Sequence, residues 1–177
     1  MIVKNPVAMK VAFGESPKKD SQDRISTRMA IAFTIRDILG RAKEYLRLKE
    51  AAGSDELKLP KYDPKMEILI PVIKKEIPLK AHAHRKDDIF TAIRIAKECD
   101  VHLTLEYTTD SCGVEQELVK DGYPIAVWPY FSRPKKSENQ KSDPANTVRL
   151  LKQDAVSRLQ RILPSLQKSI CRSVQDL

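Results

Sequence analysis

Short apolar or alternating runs and longer amphipathic stretches follow one another along this chain. The short runs are residues 7–13, 78–84, 101–107 and 124–128, and each is bounded by glycine, proline or polar residues, which is typical of strands. Between Thr27 and Gly53, apolar residues recur every three to four positions, which predicts a helix with one buried face. Because strands separated by helices favour crossover connections, the pattern predicts an α/β fold with a parallel sheet.

The later predicted helices are shorter than the first. They are residues 64–73, 87–99, 111–121 and 143–163. Pro71 should kink or split the first of these, and no strand is expected after the last. Four strands with their helices amount to half of a (β/α)8 barrel, which typically takes about 250 residues, so we expect a sheet with open edges.

Two histidines end the second strand of this pattern. Alternate residues of a strand share a face, so we expect Lys80, His82 and His84 on one face and the leucine and alanines between them on the other. A helix follows, which places the histidines at the carboxyl end of the strand, where parallel α/β folds carry their active sites. Two interpretations are open: the histidines bind a metal, or they are hydrogen-bonding groups at a polar strand end. Two imidazoles are fewer than the three or four protein ligands of a typical zinc site.

Composition and charge narrow the class of protein. The chain has 177 residues, of which 41% are hydrophobic, and this indicates one globular unit with enough apolar material for a core. The formal net charge of +8 is scattered, and the clusters Lys18-Lys19 and Lys135-Lys136 come without a recognition helix or stacking aromatic residues. We therefore expect a solvated basic surface and no nucleic-acid partner.

Membrane association and export are not expected either. No apolar run approaches the roughly 18 to 20 residues of a membrane span, and the first residues lack the layout of a signal peptide. The cysteines Cys99, Cys112 and Cys171 match neither a disulfide framework nor a CxxC metal motif. These features favour a reducing, cytoplasmic location.

Four segments together carry a family resemblance. They are residues 10–18 (KVAFGESPK), 27–29 (TRM), 77–96 (IPLKAHAHRKDDIFTAIRIA) and 105–106 (LE). They resemble the imidazolonepropionase-like branch of the amidohydrolase superfamily, and the block 77–96 is the most specific part. The resemblance implies a metal-dependent hydrolase on a (β/α)8 barrel, to which this chain contributes strands four to seven with their helices, as a partial barrel with an open-edged parallel sheet.

The resemblance also implies a ligand set around a divalent metal, usually zinc. Family members hold it with a His-x-His pair on the first strand, histidines at the ends of the fifth and sixth, and an aspartate at the end of the eighth. By position, His82 resembles the fifth-strand ligand, with His84 close by, and Lys10 lies where some members have a carboxylated lysine that bridges two metals. Tyr107 replaces the sixth-strand histidine, and a phenol binds zinc poorly unless it is ionised.

The activity implied by the family is hydrolysis of carbon–nitrogen bonds in small amides or cyclic amides. Zinc serves this chemistry because it lowers the pKa of bound water to about 7 and polarises the amide carbonyl. Since the first-strand pair and the eighth-strand aspartate are not found in this sequence, we expect a fragment that is inactive alone, and the sequence leaves open whether the chain is itself an enzyme. The alternative is a non-catalytic fold fragment that pairs with a complementary barrel half or with a second copy of itself.

The resemblance divides the chain into two parts. Residues 1–153 form the partial barrel domain, and residues 154–177 form a helical or irregular tail. From Ser157 onward the tail does not resemble the family's continuation, which a frameshift near Gln153 explains. Residues 173–177 can be encoded so that another frame reads Cys-Ala-Gly-Leu, which resembles that continuation.

Overall fold

A computed structural model describes residues 6–19, 26–127, 137–141, 143, 145–152 and 157–159. Within them, one sheet has the strand order β1-β2-β3-β4-β5, and each neighbouring pair runs parallel. The strands are β1 (Met9–Ala12), β2 (Leu79–Ala83), β3 (Leu103–Tyr107), β4 (Ile125–Val127) and β5 (Ser157–Leu159). The predicted α/β fold with an open parallel sheet is therefore confirmed.

Helices connect consecutive strands, as crossover connections require. They are α1 (Ser16–Lys19), α2 (Arg28–Ala52), α3 (Pro64–Glu67), α4 (Ile70–Ile73), α5 (Lys86–Cys99), α6 (Glu115–Lys120) and α7 (Asn146–Lys152), with 3₁₀ turns at Glu56–Lys58 and Ser137–Asn139. The predicted helix 64–73 is split in two, and Pro71 lies at the start of its second half. In the described part of the chain, none of these helices combines the length and the apolar character that a membrane crossing needs.

The hydrophobic core lies between the sheet and the helices on one of its faces. Leu79, Ala81 and Ala83 of β2 belong to this core, together with Leu103 and Leu105 of β3. Helices α2 and α5 contact one another, and α5 also contacts β2 and β3. The predicted alternation along β2 is thus confirmed for its apolar residues, which leaves the intervening Lys80 and His82 for the opposite face.

The register of the strands aligns their carboxyl ends. Ala12 of β1 is opposite His82 of β2, and His82 is opposite Glu106 of β3. Glu106 is in turn opposite Ala126 of β4. Residues that follow the strands are consequently brought together at one edge of the sheet, although the chain separates them widely.

The end of the chain differs from its prediction. Helix α7 ends at Lys152, and Ser157–Leu159 forms a strand parallel to β4 instead of continuing the helix to Leu163. Three residues are too few for periodicity to distinguish a strand from a helix, and the open hydrogen-bonding edge of β4 favours the strand here. Trp128 and residues 160–177 lie outside the described residues, and the division at residue 153 and the frameshift stay predictions.

The long helix α2 has the ends that the sequence predicts. Thr27 is its N-cap, and the Thr27 hydroxyl accepts a hydrogen bond of 3.0 Å from the Ala30 backbone N–H, whereas Gly53 follows its last residue. We expect Thr27→Ala to lower the free energy of unfolding by about 1 kcal/mol, as measured by urea denaturation, because one N–H at the helix start loses its partner.

A second threonine provides the matched control for this substitution. The Thr34 hydroxyl donates to the Ala30 carbonyl from within the helix, where alanine has the higher helix propensity. Thr34→Ala should therefore leave the stability unchanged or raise it slightly. Equal losses in both variants would show that the capping bond contributes nothing specific.

Candidate metal centre

The two histidines of β2 and its following loop are buried at the carboxyl edge of the sheet. His82 is 9% exposed and His84 is 4% exposed. The backbone around them is fixed from both sides, because the Phe13 N–H donates to the His82 carbonyl at 2.9 Å and the Asp110 N–H donates to the His84 carbonyl at 2.9 Å. The histidine positions are thus set by a β1 neighbour and a β3 neighbour.

A carboxylate from a distant part of the chain completes a group with these histidines. Glu138 lies in the 3₁₀ turn after β4 and is 3% exposed. His82, His84 and Glu138 each offer one ligand atom, and these atoms all lie within 4.8 Å of one another. The distance from His84 Nε2 to Glu138 Oε1 is 3.9 Å. The group consists of two imidazoles and one carboxylate, all buried.

The loop after β1 holds the Glu138 carboxylate in place. Its Oε2 accepts a hydrogen bond of 2.8 Å from the Glu15 backbone N–H, and the Ser137 hydroxyl donates to the Glu15 carboxylate. Gly14 has a φ of +78°, and a Cβ at this position would lie closer to Glu138 Oε2 than real Cβ atoms approach an oxygen. The close approach of Glu138 therefore requires a glycine at position 14.

Hydroxyl groups orient the two imidazoles. Ser16 Oγ lies 3.4 Å from His82 Nε2, and Thr109 Oγ1 lies 3.1 Å from His84 Nδ1. The Thr109 hydroxyl donates to the His84 carbonyl at 3.4 Å, so it accepts from Nδ1–H of the His84 ring. In the neutral ring with this arrangement, Nε2 of His84, the atom 3.9 Å from Glu138 Oε1, carries the lone pair that a metal needs.

Tyr107 lies against both imidazoles. Its ring centroid is 4.3 Å from that of His82 and 4.9 Å from that of His84, and the two imidazoles are 4.8 Å apart. The backbone at Tyr107 and Thr108 has φ values of +80° and +41°, which are uncommon for these residue types. The turn that ends β3 therefore brings the phenol beside both imidazoles, and its correspondence to the family's sixth-strand histidine stays a prediction.

Lys10 lies apart from this group. It is two residues closer to the start of its strand than Ala12, the residue opposite His82. It is exposed on β1 and pairs in register with Lys80, whereas His82 is opposite Ala12. Lys10 and Lys80 line a cavity of about 220 Å³ together with His82, Tyr107 and Glu106, and Lys80 Nζ lies 2.9 Å from Glu106 Oε1. The structure thus brings Lys10, His82 and Tyr107 to one cavity. The role of Lys10 as a lysine that bridges two metals stays a prediction.

A partly buried ion pair anchors helix α2 beside the candidate centre. Arg28 Nε lies 3.1 Å from both carboxylate oxygens of Asp88, which is 3% exposed. Burial raises the pKa of the Asp88 carboxyl above its usual value, and the Arg28 guanidinium opposes this rise. A Cβ on Gly14 would lie 3.3 Å from Asp88 Oδ2, so this pair packs against the same loop that holds Glu138.

Glu138 is the member of the group that the sequence does not reveal. It lies in a polar stretch that predicts a loop, and its backbone-bonded partner Glu15 is 123 positions away. The spacing of apolar residues around Glu138 gives no sign that this carboxylate, among several polar neighbours, is buried. Only the docking of this loop on the β1 edge places it beside the histidines.

The donor types of this group fit a divalent metal. Imidazole nitrogens and a carboxylate oxygen are ligands of zinc and of several other first-row divalent metals. Three protein ligands leave coordination positions open for water or substrate, which distinguishes catalytic from structural zinc sites. The buried His-His-Glu group is therefore compatible with a divalent metal. Its donor types suit zinc and other first-row divalent metals.

Comparisons with known proteins support part of the amidohydrolase prediction. No family model and no curated protein matches this chain. A crystal structure of an amidohydrolase from Thermotoga maritima MSB8 is similar to 99% of this chain, with a TM-score of 0.89 and 33% sequence identity, and the chain spans 48% of that structure's length. The chain therefore has part of the amidohydrolase fold, a partial (β/α)8 barrel with a buried His-His-Glu group at the carboxyl edge of its sheet.

Proposed function

We propose that this chain is part of a metal-dependent amidohydrolase that hydrolyses carbon–nitrogen bonds in small amides or cyclic amides. The observation that carries this proposal is the buried group of His82, His84 and Glu138 at the edge where barrel enzymes place their chemistry. The structural likeness to an amidohydrolase supports the reaction class. The resemblance of residues 77–96 supports the imidazolonepropionase-like branch.

His82, His84 and Glu138 would hold the metal, and we propose zinc. Zinc bound there supplies a Lewis acid that polarises the amide carbonyl and lowers the pKa of water to about 7. The side chains around it set the geometry: Thr109 fixes the His84 tautomer, and the Glu15 N–H fixes the Glu138 carboxylate. Because all three candidate ligands are buried, their interactions with charge are stronger than in water.

The site has three candidate ligands in the described residues, and we propose that turnover needs further groups from a partner. The chain spans 48% of the similar amidohydrolase, so a complementary barrel half or a second copy of the chain is the partner that fits. Alone, the chain then binds metal and is inactive toward amides. The free thiols of Cys99 and Cys112 agree with a cytoplasmic location.

Zinc titration of the metal-stripped chain tests the proposed site. We expect one zinc per chain by calorimetry, and His82→Ala should weaken binding by more than about 100-fold, because even outer-shell partners of metal ligands are worth 10–100-fold. Glu138→Gln should weaken it by about tenfold or more, since the amide carries no charge.

His102→Ala is the matched control for loss of an imidazole. His102 is exposed and precedes β3, at the opposite edge of the sheet from the candidate centre. This variant should bind zinc as the unaltered chain does. Absence of stoichiometric zinc, or equal losses in the His82 and His102 variants, would refute the metal site and favour the non-catalytic fragment that acts by pairing.

A further inference from the structure

A second cavity adjoins the candidate metal centre. It has a volume of about 300 Å³, and Glu138 lines it as well as belonging to the metal-binding group. Its other walls come from the start of helix α5, the loop after β3 and the turn that follows β4. The charged residues of these walls are Arg85, Lys86, Asp87, Asp110, Glu138 and Lys141.

Asp110 differs from the other charged residues of this cavity. It is 6% exposed, and its backbone N–H donates to the His84 carbonyl at 2.9 Å, which fixes it beside the metal-binding group. Across the described ranges of the chain, its carboxylate neither accepts a hydrogen bond nor forms an ion pair. Buried charges are normally paired or hydrogen-bonded, so a carboxylate that lines a cavity without either is suited to a ligand.

In the described part of the chain, the cations that line the cavity form neither an ion pair nor a hydrogen bond with Asp110. The Asp87 carboxylate accepts hydrogen bonds of 2.9 and 3.0 Å from Arg85, whereas Asp110 interacts with Arg85 only electrostatically and leaves its oxygens available to a ligand. Lys141 is exposed and Lys86 is partly exposed, so solvent and salt screen their charges. Asp110 is buried, and its charge is screened much less.

We propose that Asp110 binds a cationic group of the substrate, an ammonium or a guanidinium, and so selects amides that carry a positive charge. A charge-assisted hydrogen bond to a buried carboxylate is stronger than one between neutral groups, and an analogue without the cation leaves Asp110 unpaired. This inference rests on the proposed function, because Glu138 joins the cavity to the metal-binding group and thereby places the amide of such a substrate near His84.

Three small probes test this selectivity without any turnover. Glycinamide carries an ammonium group, acetamide is its neutral counterpart, and N-acetylglycine is an anion. Binding to the zinc-loaded, ¹⁵N-labelled full chain is measured by NMR titration at pH 6.5. We expect glycinamide to bind about tenfold or more tightly than acetamide, which is the size of effect a charge-assisted contact gives, and N-acetylglycine to bind most weakly.

Two variants with the same change of charge assign the effect to Asp110. Asp110→Asn should remove the preference for glycinamide and keep zinc binding. Asp37→Asn, on an exposed side chain of helix α2 outside the cavity, should keep both. The NMR spectrum reports whether each variant is folded. If Asp110→Asn does not fold, the comparison of the three probes on the unaltered chain still tests the preference for a cationic amide.

The other possible results of these titrations distinguish failure of the cation-binding inference from failure of the proposed metal site. The inference is overturned if Asp110→Asn keeps the preference or loses zinc, if N-acetylglycine binds tightest, or if no probe binds. Zinc binding without a preference for glycinamide removes the inference and leaves the metal site intact. A preference for glycinamide in metal-free protein that fails to bind zinc keeps the cation-binding cavity and removes the proposed hydrolase.

Discussion

Replacing Gly14 by alanine is expected to expel the Glu138 carboxylate from the candidate metal centre and to weaken zinc binding by about tenfold or more. A Cβ at position 14 cannot coexist with Glu138 Oε2 in its present place, and the flexible glutamate side chain moves more readily than the backbone. The Glu15 N–H then loses its carboxylate acceptor. The loss of zinc affinity should match that of Glu138→Gln in calorimetric titrations.

The same substitution should also lower the free energy of unfolding. A residue with a side chain at φ +78° is strained, which costs about 1–2 kcal/mol, and the displaced carboxylate adds to this loss. Gly113 provides a matched control, because its φ is +79° and nothing lies within 4 Å of its added Cβ. Gly113→Ala should show the backbone cost in urea denaturation and leave zinc binding unchanged.

A double-mutant cycle isolates the contact between positions 14 and 138. In a Glu138→Ala background the carboxylate is gone, so Gly14→Ala should cost less than in the unaltered chain and exceed the cost of Gly113→Ala only by its contact with Asp88 Oδ2. If Gly14→Ala costs the same in both backgrounds, the close approach of Glu138 to Gly14 has no energetic role. If Gly14→Ala keeps full zinc affinity, the position of Glu138 Oε2 beside Gly14 is not needed for metal binding.

Local signals in the sequence account for most of the sheet and for two of the three candidate metal ligands. The N-cap Thr27, the terminating Gly53 and the helix-splitting Pro71 act within a few residues of their effects, so their positions can be read directly from the sequence. His82 and His84 are placed correctly at a buried strand end, because alternation along a strand and the helix that follows it are both local patterns.

The remaining features depend on contacts between distant segments. Glu138 is buried only because its turn docks on the loop after β1, and β5 forms only because the edge of β4 offers backbone partners. Asp110 looks like any polar loop residue until the fold buries it against a cavity. Periodicity carries no information about such contacts, so the third candidate ligand and the cavity beside it needed the structure.

Replacing Tyr107 by histidine is expected to raise zinc affinity by about 100-fold or more, since the resemblance implies a histidine ligand at this position and imidazole binds zinc far better than a neutral phenol. The Tyr107 ring already lies 4.3 Å from His82 and 4.9 Å from His84, centroid to centroid. Histidine also tolerates the positive φ of +80° better than most residues, so the substitution should not lower the free energy of unfolding.

Tyr107→Phe separates a gain of a ligand from the removal of the phenol. It retains the ring against the imidazoles and offers no donor atom, so its zinc affinity should not rise above that of the unaltered chain. Cobalt substitution gives a second measurement, because the visible absorption of Co²⁺ changes when a nitrogen ligand is added. If Tyr107→His gains neither affinity nor a changed cobalt spectrum, the turn after β3 does not direct this side chain at the metal, and Tyr107 serves to pack the two imidazoles. The candidate ligands in the described residues are then His82, His84 and Glu138, the last of which the family resemblance does not include.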